Sequence, residues 1–247
     1  MAGHLHGKVA IVTGAGRNIG RAIALTLADE GASLAVVTRT NKGEAEAVAG
    51  EIEKAGGKAF AAIGDIADAK AVQNIVDAVL KKFGRVDILV NNAALRDEKA
   101  IDDMTYADWR KVMDVTLDGA FHCVKACLPA LKKNGGAIVN IGGMSAHLGS
   151  ANRAHVTAAK MGIVGFTRGL AHDLAPARIA VNCVVPGAIG TSRAKGAVTP
   201  AHHLIHGTIT GERGRPEDVA AAVRYLVTAP FVTGQVLHVN GGAYLGS

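Results

Sequence analysis

The segment Lys8-Val9-Ala10-Ile11-Val12-Thr13-Gly14-Ala15-Gly16-Arg17-Asn18-Ile19-Gly20 sets out the architecture in miniature. Lys8 to Thr13 is a short apolar run ending in glycines, which suits a buried strand. From Asn18 to Glu30 the apolar residues Ile19, Ile23 and Leu27 fall at helical spacing, and Gly31 supplies a stop. Strand, glycine-rich turn and helix therefore follow one another directly. The start of such a helix presents free N–H groups and a partial positive charge. Glycines let the backbone turn sharply and approach a ligand closely. The combination predicts a seat for a phosphate-bearing ligand.

The alternation continues outward from this segment. Strands are expected at Ser33 to Thr38, Lys58 to Ile63, Val86 to Asn91, Ala137 to Ile141, Ile179 to Val185 and Gln235 to Val239. Helices are expected at Lys42 to Ala55, Asp68 to Phe83, Tyr106 to Leu131, Ala151 to Leu174 and Glu217 to Val227. Strands alternating with helices imply an α/β fold, a doubly wound parallel sheet with helices on both faces. Nothing marks a second domain, so residues 1–247 read as one unit. Residues 192–214 mix glycine, histidine and threonine and are expected to cover a substrate.

Composition narrows the function classes. Hydrophobic residues are 49% of the chain, enough for a large core, while charged residues are only 19%. The net charge of +6 comes from scattered basic residues, not from a stripe, which argues against nucleic acid as the partner. No apolar run is long enough to span a membrane. The three cysteines, Cys123, Cys127 and Cys183, read as small core residues; no further ligands follow at metal spacing, so no metal site is expected. The N-terminus reads as a short tail entering a strand, and a cytoplasmic location is expected.

Thr13-Gly14-Ala15-Gly16-Arg17-Asn18-Ile19-Gly20 resembles the glycine-rich fingerprint of the short-chain dehydrogenase/reductase family, with Asn18 in place of the middle glycine. Asparagine tolerates left-handed backbone angles better than most residues, so the loop is expected to survive. Further resemblances run in order along the chain. They are Asp65-Ile66, Asn91-Asn92-Ala93-Ala94, Pro186-Gly187-Ala188-Ile189-Gly190-Thr191, Gly214-Arg215-Pro216-Glu217-Asp218-Val219, and the stretch from Gly234 to Gly242. The resemblance implies a Rossmann fold, a nicotinamide dinucleotide and hydride transfer to or from a carbonyl or alcohol. It makes Gly14, Arg17, Asn18, Ile19, Gly20, Asp65, Ile66, Asn92, Ala93, Lys160, Pro186, Gly187, Ile189 and Thr191 the expected cofactor-binding residues. NAD-using enzymes often place a carboxylate at the end of the second strand. Here Thr38-Arg39-Thr40 stands there, and Arg17 lies in the loop. Two guanidiniums suit a 2′-phosphate, so NADP(H) is expected over NAD(H). The family also commonly forms dimers or tetramers through the two long helices, and a homotetramer or homodimer is expected.

The catalytic positions depart from the family pattern. Hydride transfer leaves an alkoxide that needs a proton. The family supplies it from a tyrosine four residues before a lysine, with help from a serine and an asparagine. Lys160 matches the lysine. The tyrosine position holds Val156, the serine position Gly143 and the asparagine position Thr116. His147 and His155 are the candidate replacements as general acid, since histidine titrates near neutrality. His202, His203 and His206 lie in the covering segment. Three functions stay open: an oxidoreductase with a rearranged acid, a dinucleotide-binding protein without redox turnover, and a lyase or isomerase on the same cleft.

Overall fold

The computed structural model describes residues 3–191 and 207–246. Its centre is a seven-stranded parallel sheet in the order β3-β2-β1-β4-β5-β6-β7. The strands are β1 (Val9–Thr13), β2 (Ser33–Thr38), β3 (Lys58–Ile63), β4 (Ile88–Asn91), β5 (Gly136–Ile141), β6 (Ile179–Pro186) and β7 (Val236–Val239). The helices are α1 (Asn18–Asp29), α2 (Lys42–Lys54), α3 (Ala69–Phe83), α4 (Tyr106–Met113), α5 (Gly119–Asn134), α6 (Ser145–Leu148), α7 (Ala154–Leu174) and α8 (Pro216–Thr228). The expected doubly wound fold is the one found.

The central strands are mostly apolar and buried along nearly their whole length because both faces are covered. In β1, Ala10 and Val12 join one core with Ile23, Leu27, Val48, Ile52 and Val223. Val9 and Ile11 join the opposite core with Val72, Val76, Leu131 and Leu174. Successive side chains point to opposite faces, so one strand serves both layers. The strand order reverses direction between β1 and β4. Crevices at such a switch point open beyond the carboxyl ends of the strands.

Several boundaries differ from the sequence reading, each for a local reason. The helix expected over Tyr106 to Leu131 is broken into α4 and α5 by a π-helical segment, Asp114–Asp118. Arg110 bonds to both Asp114 and Asp118 across this wide turn. The expected start of α7 at Ala151 moves to Ala154, since Asn152 takes a left-handed φ of 60°. Val86 and Asp87 precede β4 instead of belonging to it. The buried Asp87 carboxylate accepts from the Val9 N–H at 3.0 Å and from Arg85 at 2.7 Å, which pins the entry of β1. Helix α6 follows β5 where no helix was expected.

A buried polar chain fixes α7 to the sheet. Asn91 donates to Asn140 at 2.9 Å, Asn140 donates to the Thr167 hydroxyl at 2.9 Å, and Thr167 donates to the Ile163 carbonyl at 2.8 Å. Asn140 and Thr167 are fully buried. Thr167→Val keeps the shape and strands the Asn140 amide. It is expected to lower stability by about 1–3 kcal/mol in urea unfolding, the cost of an unsatisfied buried donor.

Candidate active site

A cavity of about 480 Å³ lies at the switch point, lined by the glycine-rich loop, the ends of β2 and β3, and the residues after β4. Three expectations about its floor can be read directly. Asn18 has a φ of 51°, the left-handed conformation that asparagine accepts. A Cβ on Gly20 would stand 2.2 Å from the Gly14 carbonyl oxygen, so α1 packs against the loop at a distance only glycine allows. No side chain caps the first turn of α1, whose N-cap is Arg17, and that turn holds no acid. A helix start of this kind, with its partial positive charge facing the loop, suits an anion. These features fit a dinucleotide diphosphate.

The loop is held from below. The Thr13 hydroxyl accepts from the Asn92 and Ala93 N–H groups at 3.0 and 3.1 Å and donates to the Val90 carbonyl at 3.3 Å. The Asn92 side chain donates to the Thr13 and Gly14 carbonyls at 2.9 and 3.1 Å. Asn92 therefore positions the loop, and its amide is committed to that task.

Arg17, Ile19, Arg39, Asp65, Ile66, Ala93 and Thr191 all line the cavity. Asp65 accepts from the Ala67 N–H at 3.0 Å, and Ile66 is buried with its carbonyl against the His122 ring. Pro186, Gly187 and Ile189 continue from β6, where a Cβ on Gly187 would meet Asn240 at 2.7 Å. Glu44 is not among the residues that the sequence pointed to for this site. The fold brings it into the cavity, within 3.1 Å of where a Gly16 Cβ would be. Helix α2 begins beside the loop, and only the tertiary fold could reveal that.

Lys160 is buried, and its ammonium donates to the Ile141 carbonyl at 2.6 Å. Burial, with help from the nearby Arg96 and Arg153 guanidiniums, pushes it down to about 7. Gly143 lies over its stem; a Cβ there would meet only Lys160 carbons, at 3.8 and 4.0 Å. Val156 is fully buried and packs with Val112, Ala159, Leu95 and Met113. Thr116 sits buried in the π-helical segment, where its hydroxyl accepts from the Leu95 N–H at 3.3 Å.

The two candidate histidines lie in different surroundings, His147 on α6 and His155 on α7 with Lys160. His147 stacks among His238 and Tyr244, with ring centroids 4.7 and 5.2 Å away, on the β7 side. Burial, and then Arg168, holds its imidazole below the ordinary value. His155 is buried with Nδ1 unpartnered among the described residues, and burial likewise lowers it. Both stand outside the residues lining the cavity. His202, His203 and His206 lie outside the described residues, as does most of the expected covering segment. Cys123, Cys127 and Cys183 are buried free thiols, and the described residues hold no cluster suited to a metal ion.

The reversing parallel sheet and the glycine-rich turn leading into α1 define a fold of the Rossmann type. A family model described as enoyl-(acyl carrier protein) reductase matches residues 14–244. A 3-oxoacyl-[acyl-carrier-protein] reductase of Synechocystis is 38% identical over 242 residues, covering 96% of this chain and 97% of that protein. A short-chain dehydrogenase from Burkholderia cenocepacia, solved with NADP, is 37% identical with a TM-score of 0.90 over 97% of this chain and 99% of that one. A 7α-hydroxysteroid dehydrogenase, solved with NADH and 7-oxo glycochenodeoxycholic acid, is 37% identical with a TM-score of 0.91 over 96% and 94%. The chain belongs to the short-chain dehydrogenase/reductase family of oxidoreductases.

The depressed Lys160 has a consequence for stability. Its folded value of about 7 lies below the unfolded value near 10.5. Between these two the unfolded chain binds the extra proton, so stability rises with pH there and is flat below about 7. Urea unfolding of the wild type, referred to Lys160→Met, is expected to show a gain on the order of 3–4 kcal/mol from neutral pH to pH about 10. A pH-independent difference would assign Lys160 an ordinary ammonium.

Proposed function

We propose that the chain is an NADP(H)-dependent oxidoreductase acting on a carbonyl or alcohol, with Gly143, Val156 and Thr116 standing where relatives carry serine, tyrosine and asparagine. The observation that supports it best is the pairing of a formed dinucleotide cradle with Lys160 beside Gly143. Asp65 and Ile66 flank the adenine end, Arg17 and Arg39 take the 2′-phosphate, and Asn18, Ile19 and the α1 N-terminus hold the diphosphate. Ala93, Pro186, Gly187, Ile189 and Thr191 surround the nicotinamide end, and Lys160 anchors its ribose.

A reduced nicotinamide held there would supply hydride chemistry toward a carbonyl carbon. The oxygen of that carbonyl then needs a proton. The Lys160 stem meets the position vacated at Gly143, and its value of about 7 lets it give and regain a proton at neutral pH. It replaces His147 and His155 in this reading, because both are turned into other packing. The Ile141 carbonyl holds the ammonium in place between turnovers.

Two observations favour second readings. Glu44 in the adenosine end of the cavity suits ribose hydroxyls and favours NAD(H). The closed packing over Val156 favours a cofactor-binding protein without redox turnover. The three buried free thiols support a reducing, cytoplasmic setting. Exposed Phe121 and Met161 on α5 and α7 support assembly of a homotetramer or homodimer through those helices.

Calorimetric titration is expected to give NADPH about tenfold tighter binding than NADH, the worth of charge-assisted contacts to the extra phosphate. Equal affinity would overturn the cofactor assignment. Binding without nicotinamide oxidation across a carbonyl panel would select the silent reading. The double variant Gly143→Ser with Val156→Tyr restores the family's proton apparatus. It is expected to raise turnover of simple ketones by about a hundredfold, and an unchanged rate would show that the scaffold around Lys160 is no longer competent.

A further inference from the structure

An acid stands beside the arginines at the adenosine end of the cavity. Gly16, Arg17, Thr38, Arg39, Asn41 and Glu44 all line that end. The turn between β2 and α2 carries Glu44 there. The Thr38 hydroxyl donates to the Asn41 carbonyl at 3.0 Å, and the Asn41 side chain, capping α2, accepts from the Glu44 N–H at 3.2 Å. These bonds set the start of α2 against the end of β2. A Cβ on Gly16 would stand 2.9 Å from the Thr38 Cγ2 and from the Glu44 Cβ, and 3.1 Å from a Glu44 carboxylate oxygen. A side chain at position 16 would collide with both residues, so glycine leaves the carboxylate facing the loop. In space this is the end of the second strand, where dinucleotide folds that take an unphosphorylated ribose keep their acid. Along the chain that place reads Thr38-Arg39-Thr40, and the acid comes instead from the first turn of the next helix. The helix dipole favours a carboxylate in that turn.

We propose that Glu44 is a specificity-determining residue whose carboxylate accepts from the hydroxyls of the adenosine ribose and opposes a phosphate on that ribose, so that the chain takes NAD(H) as well as NADP(H). The inference rests on reading the cavity as a dinucleotide site, and it limits the preference that Arg17 and Arg39 create. Those two guanidiniums draw a 2′-phosphate in by charge-assisted hydrogen bonds. Glu44, lining the same end, acts in the opposite sense. An unphosphorylated ribose offers O–H donors, and an ionised carboxylate only accepts, so the two match. A 2′-phosphate removes one of those donors and sets its own negative charge against the carboxylate. Protein surroundings screen that repulsion less than bulk water does. Opposed determinants in one pocket give a modest preference in place of an exclusive one.

The test is calorimetry on the full chain with NADPH and NADH, and with 2′,5′-ADP and AMP as probes of the adenosine end alone. Glu44→Gln keeps the length of the side chain and the main-chain cap from Asn41, and removes the charge. It is expected to tighten NADPH and 2′,5′-ADP about tenfold, and to leave NADH and AMP unchanged or weaker. The gain for the phosphorylated ligands is expected to shrink as salt rises from about 0.02 M to about 0.5 M, as a charge effect does. A merely structural role for Glu44 would weaken all of these ligands together and leave the ratio of phosphorylated to unphosphorylated affinity standing. A ratio that stays or falls in Glu44→Gln, or a gain untouched by salt, overturns the proposal. The variant is referred to the wild type, so equal wild-type affinity for NADPH and NADH removes the NADP(H) assignment while the change in ratio still decides this inference. Failure of every one of these ligands to bind removes the dinucleotide reading and this inference with it.

Discussion

The contact between Gly20 and the Gly14 carbonyl, secured by Thr13 and Asn92, is the constraint on which the rest of the structure depends. It sets α1 hard against the end of β1 and ties that corner to β4 through the Thr13 hydroxyl and the Asn92 amide. β1 and β4 are the strands on either side of the reversal in strand order. Holding them together keeps the crevice open at the switch point and aims the α1 N-terminus into it. Small residues are required because main chain packs on main chain there, and the polar side chains satisfy carbonyls that the turn leaves exposed to the interior.

A second level of order runs from the sheet to the reaction end. The Asn91–Asn140–Thr167 chain fixes α7, and Lys160, about two turns earlier on the same helix, is carried to the Ile141 carbonyl. The wide π-helical turn at Asp114–Asp118 lays Thr116 under Leu95 and brings the charged Arg96 to the cavity wall. Charge and proton affinity at this end are products of the same packing. Burial makes the Lys160 ammonium costly, and two arginines nearby make it costlier.

Much of this was legible along the chain. The strands came through with shifts of one or two residues because buried parallel strands are short apolar runs bounded by glycine, and helices α1 to α3 and α8 because their apolar residues keep a helical period. The boundaries that moved were set by single side chains. Arg110 spans the π turn, Asn152 turns the chain before α7, and Asp87 is claimed by Val9 across a gap in sequence as well as by its neighbour Arg85. None of these has a periodic signature. Glu44 was missed for a similar reason: its nearness to Gly16 is made by the β2–α2 connection folding back over the loop.

The sequence by itself determined the alternation of strands and helices, the glycines at the first turn, and which residue types occupy positions 116, 143, 156 and 160. Those are properties of composition and spacing, and folding cannot change them. Tertiary structure alone decided where His147 and His155 are packed, that Glu44 reaches the glycine-rich loop, and that the Lys160 ammonium is buried and weakened toward neutrality. Orientation, desolvation and the distance between charges depend on which surfaces meet in space, and linear order carries no measure of them.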